Sequence, residues 1–139
     1  MSNSPVFLDT SGWIAALNQD DEYHSLAAQK MLEFKNMKRG LITTDWILAE
    51  TGNGLAKKAA RTALAVSISQ LFQARRSRLL WIQEEILEEA LDLYQKTDDK
   101  NWGLVDCASF VVMRHEGITE AMTTDRHFEQ AGFQRLLNK

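Results

Sequence analysis

The chain has 139 residues, of which 45% are hydrophobic and 25% charged, and its formal net charge at pH 7 is −3. This length suits one domain with a single hydrophobic core, and the composition is that of an ordinary globular protein. The small negative charge predicts no general surface for polyanions, although a local site can differ in sign from the whole molecule. We therefore expect a single domain over residues 1–139.

Cysteine usage and hydropathy indicate the compartment. Cys107 is the only cysteine, which excludes an internal disulfide and favours a reducing environment. No apolar stretch approaches the ~18 residues of a membrane-spanning helix. The polar start MSNSP lacks the charged and apolar regions of a signal peptide. These features predict a cytoplasmic protein with no membrane partner.

Short apolar segments alternate with helical patterns along the chain. Strands are predicted at residues 6–8, 41–44 and 79–82, at a segment ending in 120–124, and at 133–137. Helices are predicted at 10–17, 25–35, 45 to about 60 with Asp45 as the cap, around 64–72, at 84–94, and at 104–115 before a stop at Gly117. This alternation predicts a three-layer α/β fold, in which a central parallel sheet of four to five short strands is flanked by helices.

Charged residues are unevenly distributed in the middle of the chain. Residues 51–83 contain six Lys or Arg and no acid, whereas residues 84–99 contain seven acids and one lysine. A solvated surface is the ordinary explanation of such runs. The alternative is a basic face that holds a phosphate backbone beside an acidic site.

Four acids are expected at one edge of the predicted sheet. The carboxyl ends of parallel strands share an edge, and ligands bind there where the strand order reverses. Asp9 and Asp125 follow the first and fourth strands directly. Glu50 lies in the helix after the second strand, and Asp106 lies in the first turn of the helix LVDCASFVVM. All four are therefore candidates for one site.

Each acid also has a local explanation. Asp9 and Asp125 can cap the segments that follow them, and Asp106 can stabilise the positive end of its helix. Glu50 can be a solvated helix residue. The helix of Asp106 is apolar on nearly all sides, however, and an uncompensated ionised acid there is costly. Acids gathered at one edge also repel one another unless a cation lies between them.

A carboxylate cluster of this kind has a definite chemistry. Carboxylate oxygens are the ligands that Mg²⁺ and Mn²⁺ prefer, and neither ion requires His or Cys. A metal in such a cleft activates water, and two metals also stabilise the leaving oxygen of a phosphodiester. The cluster therefore predicts phosphodiester hydrolysis without a covalent enzyme intermediate.

Four segments resemble, in order and spacing, the motifs of PIN-domain ribonucleases, in particular the VapC-type toxins of bacterial toxin–antitoxin pairs. The segments are VFLDTSGW, ILAET, WGLVDCASFVVM and AMTTDRHF, and the resemblance covers about residues 6–136. It implies a PIN-like fold, cleavage of RNA, and Mg²⁺ or Mn²⁺ as the cofactor. It also implies a homodimer and a small antitoxin protein that inhibits by reaching into the acidic groove.

The resemblance carries site residues over by position. It assigns the catalytic and metal-binding cluster to Asp9, Glu50, Asp106 and Asp125. Asp9 and Asp106 would be direct metal ligands, and Thr10 or Ser11 would support the site by hydrogen bonding. One position departs from the family, because Val105 stands where many relatives carry Thr or Ser. This departure affects a local capping hydrogen bond and leaves the carboxylate in place.

Three further polar residues near the motifs are weaker site candidates: Asp99, Asn53 and Arg126. Asn53 lies one helical turn beyond Glu50 on the same face, where it can touch substrate. Arg126 follows Asp125 and can hold a phosphate. Exposure to solvent is the simpler explanation for Asp99 and Asn53, and it explains Arg126 at least as well.

Other residue types receive simpler interpretations. Trp13, Trp46 and Trp102 lie close in sequence to candidate acids and can stack on a base, but packing explains them better. Cys107 is expected to be packed within its apolar helix. The three histidines, His24, His115 and His127, are scattered and receive no role.

The favoured hypothesis is a metal-dependent endoribonuclease that acts as a toxin. One alternative is a non-catalytic PIN-like module that binds RNA or protein. Another is a phosphoacceptor α/β domain, which also has an Asp after its first strand. The phosphatase form of that domain needs Asp-x-Asp, whereas the residue two beyond Asp9 is Ser11. The receiver form needs a mid-chain acceptor Asp at a strand end, which the sequence does not offer.

Overall fold

The structure is a computed structural model that describes residues 3–55 and 58–139. Its strands are β1 (Val6–Leu8), β2 (Leu41–Thr44), β3 (Arg78–Leu80), β4 (Glu120–Met122) and β5 (Gln134–Arg135). Its helices are α1 (Thr10–Leu17), α2 (His24–Asn36), α3 (Asp45–Gly54), α4 (Lys58–Gln73), α5 (Glu84–Lys96), α6 (Leu104–Glu116) and α7 (His127–Gln130). No helix in these ranges is long and apolar enough to cross a membrane.

The strands form one parallel sheet in the order β3-β2-β1-β4-β5. The chain builds the sheet outward from β1 to β2 and β3, and then crosses to β4 on the other side of β1. Ligands of open α/β sheets bind where the strand order reverses in this way, outside the carboxyl ends of the strands. The predicted α/β fold with a central parallel sheet is confirmed.

Strand β1 and helix α6 form the centre of the core. All three residues of β1 are buried, and α6 buries the seven consecutive residues 107–113. A central strand covered on both faces is apolar throughout, and a helix that is apolar all round is packed on several sides. Phe110 of α6 contacts Trp102 and Phe128 edge to face, with ring centroids 5.0 Å apart in both pairs. The N-terminal turn of this buried helix carries Asp106.

Helix α1 lies against the carboxyl end of β4 with almost no intervening space. A Cβ atom added at Gly12 would lie 1.9 Å from the carbonyl oxygen of Met122, so only glycine permits this approach. The close packing places the first turn of α1 beside the residues that follow β4. Segments that are far apart in sequence thereby meet at the reversal point of the sheet.

The boundaries of α3 differ from the prediction. The helix expected to continue to about residue 60 ends at Gly54, and residues 56 and 57 lie outside the described part of the chain. The cap is Thr44, whose hydroxyl accepts the backbone N–H of Ile47 at 3.1 Å. Asp45 is the first helical residue, and its carboxylate accepts the N–H of Ile82 at 2.8 Å instead. Asp45 thus tethers the segment after β3 to the start of α3.

Other boundaries shift by a few residues. Strand β3 begins one residue earlier than predicted and ends at Leu80, and β5 is only two residues long. Helix α7 is not predicted from the sequence, since four residues are too few to show a helical period. Gly117 adopts φ 68° and ends α6, as its position in the sequence predicts.

Candidate functional site

Asp9 follows β1 and is buried, with 6% of its surface exposed. It occupies the N-cap position of α1, yet its side chain makes no capping hydrogen bond. Its Oδ2 atom instead accepts hydrogen bonds from Thr123 Oγ1 at 2.7 Å and from Ser11 Oγ at 3.2 Å. Capping therefore does not account for the carboxylate, which two hydroxyl groups hold in the crevice between β1 and β4.

Thr123 and Ser11 link the two sides of this crevice. Their hydroxyl oxygens lie 3.0 Å apart, and Thr123 is fully buried. Ser11 Oγ accepts the backbone N–H of Thr124 at 2.9 Å, and Thr123 Oγ1 accepts that of Asp125 at 3.0 Å. Each hydroxyl therefore connects the carboxylate of Asp9 to the backbone after β4. This network fixes Asp9 relative to the loop that carries Asp125.

Asp106 and Asp125 meet at the imidazole of His127. The Nδ1 atom of His127 lies 3.2 Å from Asp106 Oδ2 and 3.3 Å from Asp125 Oδ1. Asp125 Oδ1 also accepts the backbone N–H of His127 at 2.9 Å, and Asp106 Oδ2 accepts that of Gly103 at 3.1 Å. At the start of α6, the carboxylate of Asp106 is thus the acceptor for the N–H of the N-cap residue, Gly103. Asp106 and Asp125 therefore each accept a local backbone hydrogen bond and also lie beside the same imidazole.

Burial and mutual repulsion act on the acids of this site. Burial raises the pKa of Asp9 from 3.8 to about 6, hydrogen bonds from Thr123 and the Thr10 N–H lower it, and the charges of Asp106 and Asp125 raise it. Burial likewise raises the pKa of Asp106, which the Gly103 N–H lowers and the charge of Asp125 raises. Such effects require the carboxylates to be near neighbours in space. The structure brings Asp9, Asp106 and Asp125 together.

This arrangement suits a divalent cation. One ligand atom from each of Asp106, Asp125 and His127 lies within 4.8 Å of the other two. Mg²⁺ binds oxygen at about 2.0–2.1 Å, so ligands on opposite sides of the ion are about 4.2 Å apart. The two carboxylates of this group lie close enough together to share an ion, which would also relieve the repulsion between them. The residues present therefore fit a divalent metal.

Comparison with known proteins identifies the family. A family model described as "PIN domain" matches residues 6–134. The chain belongs to the PIN domain family. Two strains of Mycobacterium tuberculosis have a relative named "23S rRNA-specific endonuclease VapC20", which is 29% identical over 128 residues. The match covers 92% of this chain and 95% of the relative.

A solved structure supports the same assignment. This PIN domain is similar to the crystal structure of M. tuberculosis VapC20, which is described as a "Sarcin-Ricin loop cleaving toxin". The TM-score is 0.79 at 27% sequence identity, over 92% of this chain and 95% of the other. The resemblance to PIN-domain ribonucleases of the VapC type is confirmed.

Glu50 lies at the rim of the site in this PIN domain. It is exposed on α3, and its Oε1 atom accepts a hydrogen bond from Thr10 Oγ1 at 2.8 Å. Thr10 adjoins Asp9, so the bond draws α3 toward the carboxylates. Glu50 is not part of the group formed by Asp106 and its two neighbours. Asp9 also lies outside this group, so the two acids are joined to the site by hydroxyl groups, Glu50 through Thr10 and Asp9 through Thr123.

The weaker candidates lie on the surface. The side chain of Asp99 is 71% exposed and pairs with Lys100 at 3.6 Å, which favours the solvated interpretation. Asn53 on α3 and Arg126 beside Asp125 are both exposed. Neither contributes to the hydrogen bonds that join the acids in the described part of the chain.

The three tryptophans near the candidate acids lie in or against the core. Trp13 is buried and donates its indole N–H to Ser67 Oγ at 2.8 Å, while Trp102 is 8% exposed and donates to Gln130 Oε1 at 2.9 Å. Trp46 is partly buried against the core, and Cys107 is fully buried. The indoles of Trp13 and Trp102 are therefore held by packing and hydrogen bonds within the fold and are not free to stack on a base.

Two residues of the site are not predicted from the sequence. Thr123 and His127 are not among the predicted candidates, although both lie within the segment AMTTDRHF. Thr123 could have been proposed from its hydroxyl group and its position two residues before Asp125. The sequence does not predict a role for His127, because its contact with Asp106 joins residues 21 positions apart in the chain. The other histidines lie elsewhere: His24 Nδ1 is 2.8 Å from the Ala15 carbonyl, and His115 pairs with Glu89.

Proposed function

We propose that this PIN domain is a metal-dependent endoribonuclease and the toxin of a toxin–antitoxin pair. The observation that carries the proposal is the convergence of Asp9, Asp106 and Asp125 at the reversal point of the sheet. The charges of Asp106 and Asp125 raise the pKa of the buried Asp9, which costs stability, and a perturbed acid in a crevice is a typical sign of a functional site. The names of the VapC20 relatives support nuclease activity, and the intact cluster weighs against a non-catalytic binding module.

The proposal assigns Asp9, Asp106 and Asp125 as metal ligands, with Glu50 as the rim carboxylate. The metal, Mg²⁺ or Mn²⁺, supplies charge compensation and an activated water when it is bound. Thr123, with Ser11 and Thr10, holds these carboxylates in place, since side chains that orient metal ligands also tune the site.

His127 holds the remaining pair of acids. Its Nδ1 lies between Asp106 and Asp125, which come from α6 and from the loop after β4. A shared ring nitrogen keeps these carboxylates at a separation suited to one ion. The imidazole thereby acts as a positioning group in the proposed site.

The substrate and the partners are proposed by analogy with the relatives. VapC20 is named as specific for 23S rRNA and described as cleaving the sarcin-ricin loop, so we propose a structured ribosomal RNA as the substrate. We also propose a homodimer, and a small antitoxin protein that occupies the acidic groove. The family resemblance and the single cysteine support one domain over residues 1–139 that works in the cytoplasm.

The decisive test compares acid-to-amide variants in an RNA cleavage assay. Asp9→Asn and Asp106→Asn should each reduce cleavage of a ribosomal RNA fragment by about 100-fold or more. The reason is that the bound metal contributes several kcal/mol, and about 1.4 kcal/mol corresponds to tenfold in rate. Asp99→Asn is the matched control and should cleave like the wild type. Mg²⁺ or Mn²⁺ should restore activity after treatment with EDTA.

Two results would contradict the proposal. Equal cleavage by the wild type and both site variants would place the activity elsewhere or in a contaminant. Undiminished cleavage in EDTA would exclude a metal mechanism. RNA binding by the wild type without any metal-dependent cleavage would instead favour the non-catalytic PIN-like module.

A further inference from the structure

A concave basic surface lies at the amino ends of strands β2 and β3, at the opposite end of the strands from the carboxylates. Its volume is about 620 Å³, and it is lined by Lys35, Lys38, Arg39, Gly40, Ala74, Arg75, Arg76 and Ser77. We call it the basic recess. Lys35 lies in the last turn of α2, and the other lining residues come from the turns that directly precede β2 and β3, so all of them gather at the amino ends of these parallel strands. None of the described residues that line it is acidic.

The two turns of the basic recess are locked together through their backbones. A Cβ atom added at Gly40 would lie 1.9 Å from the carbonyl oxygen of Arg76, so the turns touch directly. Arg76 Nη1 donates to the carbonyl of Lys38 at 3.2 Å, and the N–H of Leu41 donates to Ser77 Oγ at 2.9 Å. Lys38 has φ 57°, the one non-glycine residue with positive φ in the described part of the chain. These contacts fix the backbone of the two turns that carry the cations.

The charge of the recess exceeds what the fold requires. Helices α2 and α4 both end beside it, and each helix C-terminus attracts cations with about half a negative charge. Arg39 is already neutralised by Glu120, at 2.5 Å. Lys35, Lys38, Arg75 and Arg76 are exposed, and none of them forms an ion pair within residues 3–55 and 58–139. After the two helix ends are counted, about three positive charges remain for a ligand.

We propose that the basic recess binds the phosphate backbone of the folded RNA substrate, away from the bond that is cut. This inference rests on the proposed nuclease function and names a second contact for the same substrate. The whole chain has a net charge of −3 and its carboxyl edge is acidic, so RNA needs a local cationic surface to dock. The recess supplies one.

The lining of the recess favours RNA over an acidic protein segment. Protein partners are usually anchored by buried aromatic or large apolar side chains, whereas backbone phosphates are held by Lys and Arg alone. The recess itself is lined by cations, small residues and backbone, and the large apolar side chains lie in the adjoining groove, with which the recess shares Lys35, Arg39, Ala74 and Ser77. Strand β2 has four residues, so the two edges are only about 13 Å apart along the strands. A folded RNA can contact both edges.

The test measures how RNA affinity depends on salt. The recess variant carries Lys35→Gln and Arg75→Gln, and the control carries Lys30→Gln and Lys96→Gln, which removes the same charge outside the recess. Both are made in the Asp9→Asn background and studied in EDTA, so cleavage does not interfere. The RNA probe is a stem-loop of the sarcin-ricin type, and fluorescence anisotropy gives the Kd at several salt concentrations.

Each lost phosphate contact reduces the slope of log K against log salt by about 0.7–0.9. The variant loses two contacts, so we expect the magnitude of its slope to fall by about 1.4–1.8, with affinity at low salt at least tenfold weaker. The control should keep the parent slope. Thermal unfolding of both variants verifies that they are folded.

Equal slopes for the recess variant and its control would overturn the proposal. A second arm uses polyglutamate as an acidic polypeptide probe. Loss of polyglutamate binding in the recess variant with RNA binding unchanged would also overturn it, and would assign the recess to an acidic protein. Because binding is measured without metal, failure of the nuclease proposal would appear only in the cleavage assay.

Discussion

The carboxyl and amino edges of the sheet carry opposite charges and are built in different ways. At the carboxyl edge, Asp9 is buried and is held by hydroxyl groups from distant segments. At the amino edge, Lys35 at the end of α2 and Arg75 before β3 are exposed, and the two connecting turns are packed together through Gly40 and Arg76. Buried charge is costly unless it is compensated, whereas exposed charge costs little. The acids therefore indicate function more strongly than the cations do.

The largest effect on stability is expected from removing the buried charge of Asp9. A pKa of about 6 in place of 3.8 corresponds to about 3 kcal/mol lost from the metal-free protein at neutral pH. Asp9→Asn should therefore raise the free energy of unfolding by up to about 3 kcal/mol in EDTA. The measurement is urea denaturation, with Asp99→Asn as the exposed control. A destabilised or unchanged variant would show that the burial cost is already offset.

The same carboxylate predicts the pH dependence of the metal-free wild type. Folded Asp9 keeps its proton up to about pH 6, whereas in the unfolded chain it loses the proton near pH 3.8. The folded state therefore binds more protons in this window, and its stability should fall as pH rises from about 4 to about 6. Asp9→Asn should lack this component. A wild-type stability that rises through the window, relative to the variant, would contradict the raised pKa.

The next effect concerns the hydroxyl group that orients Asp9. Thr123→Val removes the 2.7 Å hydrogen bond to Asp9 and the acceptor for the Asp125 N–H. RNA cleavage should fall by up to about 100-fold, the usual upper range for groups that orient metal ligands. Thr119→Val, which directly precedes β4 at its opposite end, is the control and should retain activity. Similar rates for the two variants would remove Thr123 from the site, and Thr123→Ser should restore most of the loss.

A smaller effect is expected at His127. His127→Asn should weaken Mn²⁺ binding about tenfold, because Asp106 and Asp125 lose the ring nitrogen that they share. Isothermal titration calorimetry measures this binding without any need for RNA. The exposed His115, which pairs with Glu89 on another face, gives the matched control His115→Asn. An unchanged Kd in His127→Asn would mean that the imidazole plays no part in holding the acids.

The smallest effect on RNA cleavage is expected for Glu50, at the rim of the site. Glu50→Gln keeps an oxygen that accepts the hydrogen bond of Thr10, and Glu50 is exposed, so cleavage should fall only a few-fold. The rate is measured beside that of Asp106→Asn under the same conditions. A loss for Glu50→Gln as large as that for Asp106→Asn would place Glu50 among the metal ligands when the site is loaded.

Local sequence patterns were sufficient for much of the fold. The bounds of β1, α1 and β2 agree with the prediction because an apolar run, a polar residue at its exit and a helical period are all signals within a few residues. The start of α6 was equally clear, since its apolar surface and the stop at Gly117 are local. The end of α3, the two-residue strand β5 and the four-residue helix α7 were less predictable, because tertiary contacts set such short boundaries.

The sequence by itself determined which acids exist and which segments each of them follows, and the order of those segments indicated the family. Only the tertiary structure decided which side chains hold them. Ser11 and Thr123 are 112 residues apart in the chain yet their hydroxyls are 3.0 Å apart in space, and His127 reaches Asp106 across 21 residues. Local patterns carry backbone preferences over a turn or a strand, whereas such contacts depend on how the strands are ordered and how closely α1 packs on β4. Long-range geometry is a property of the folded chain as a whole.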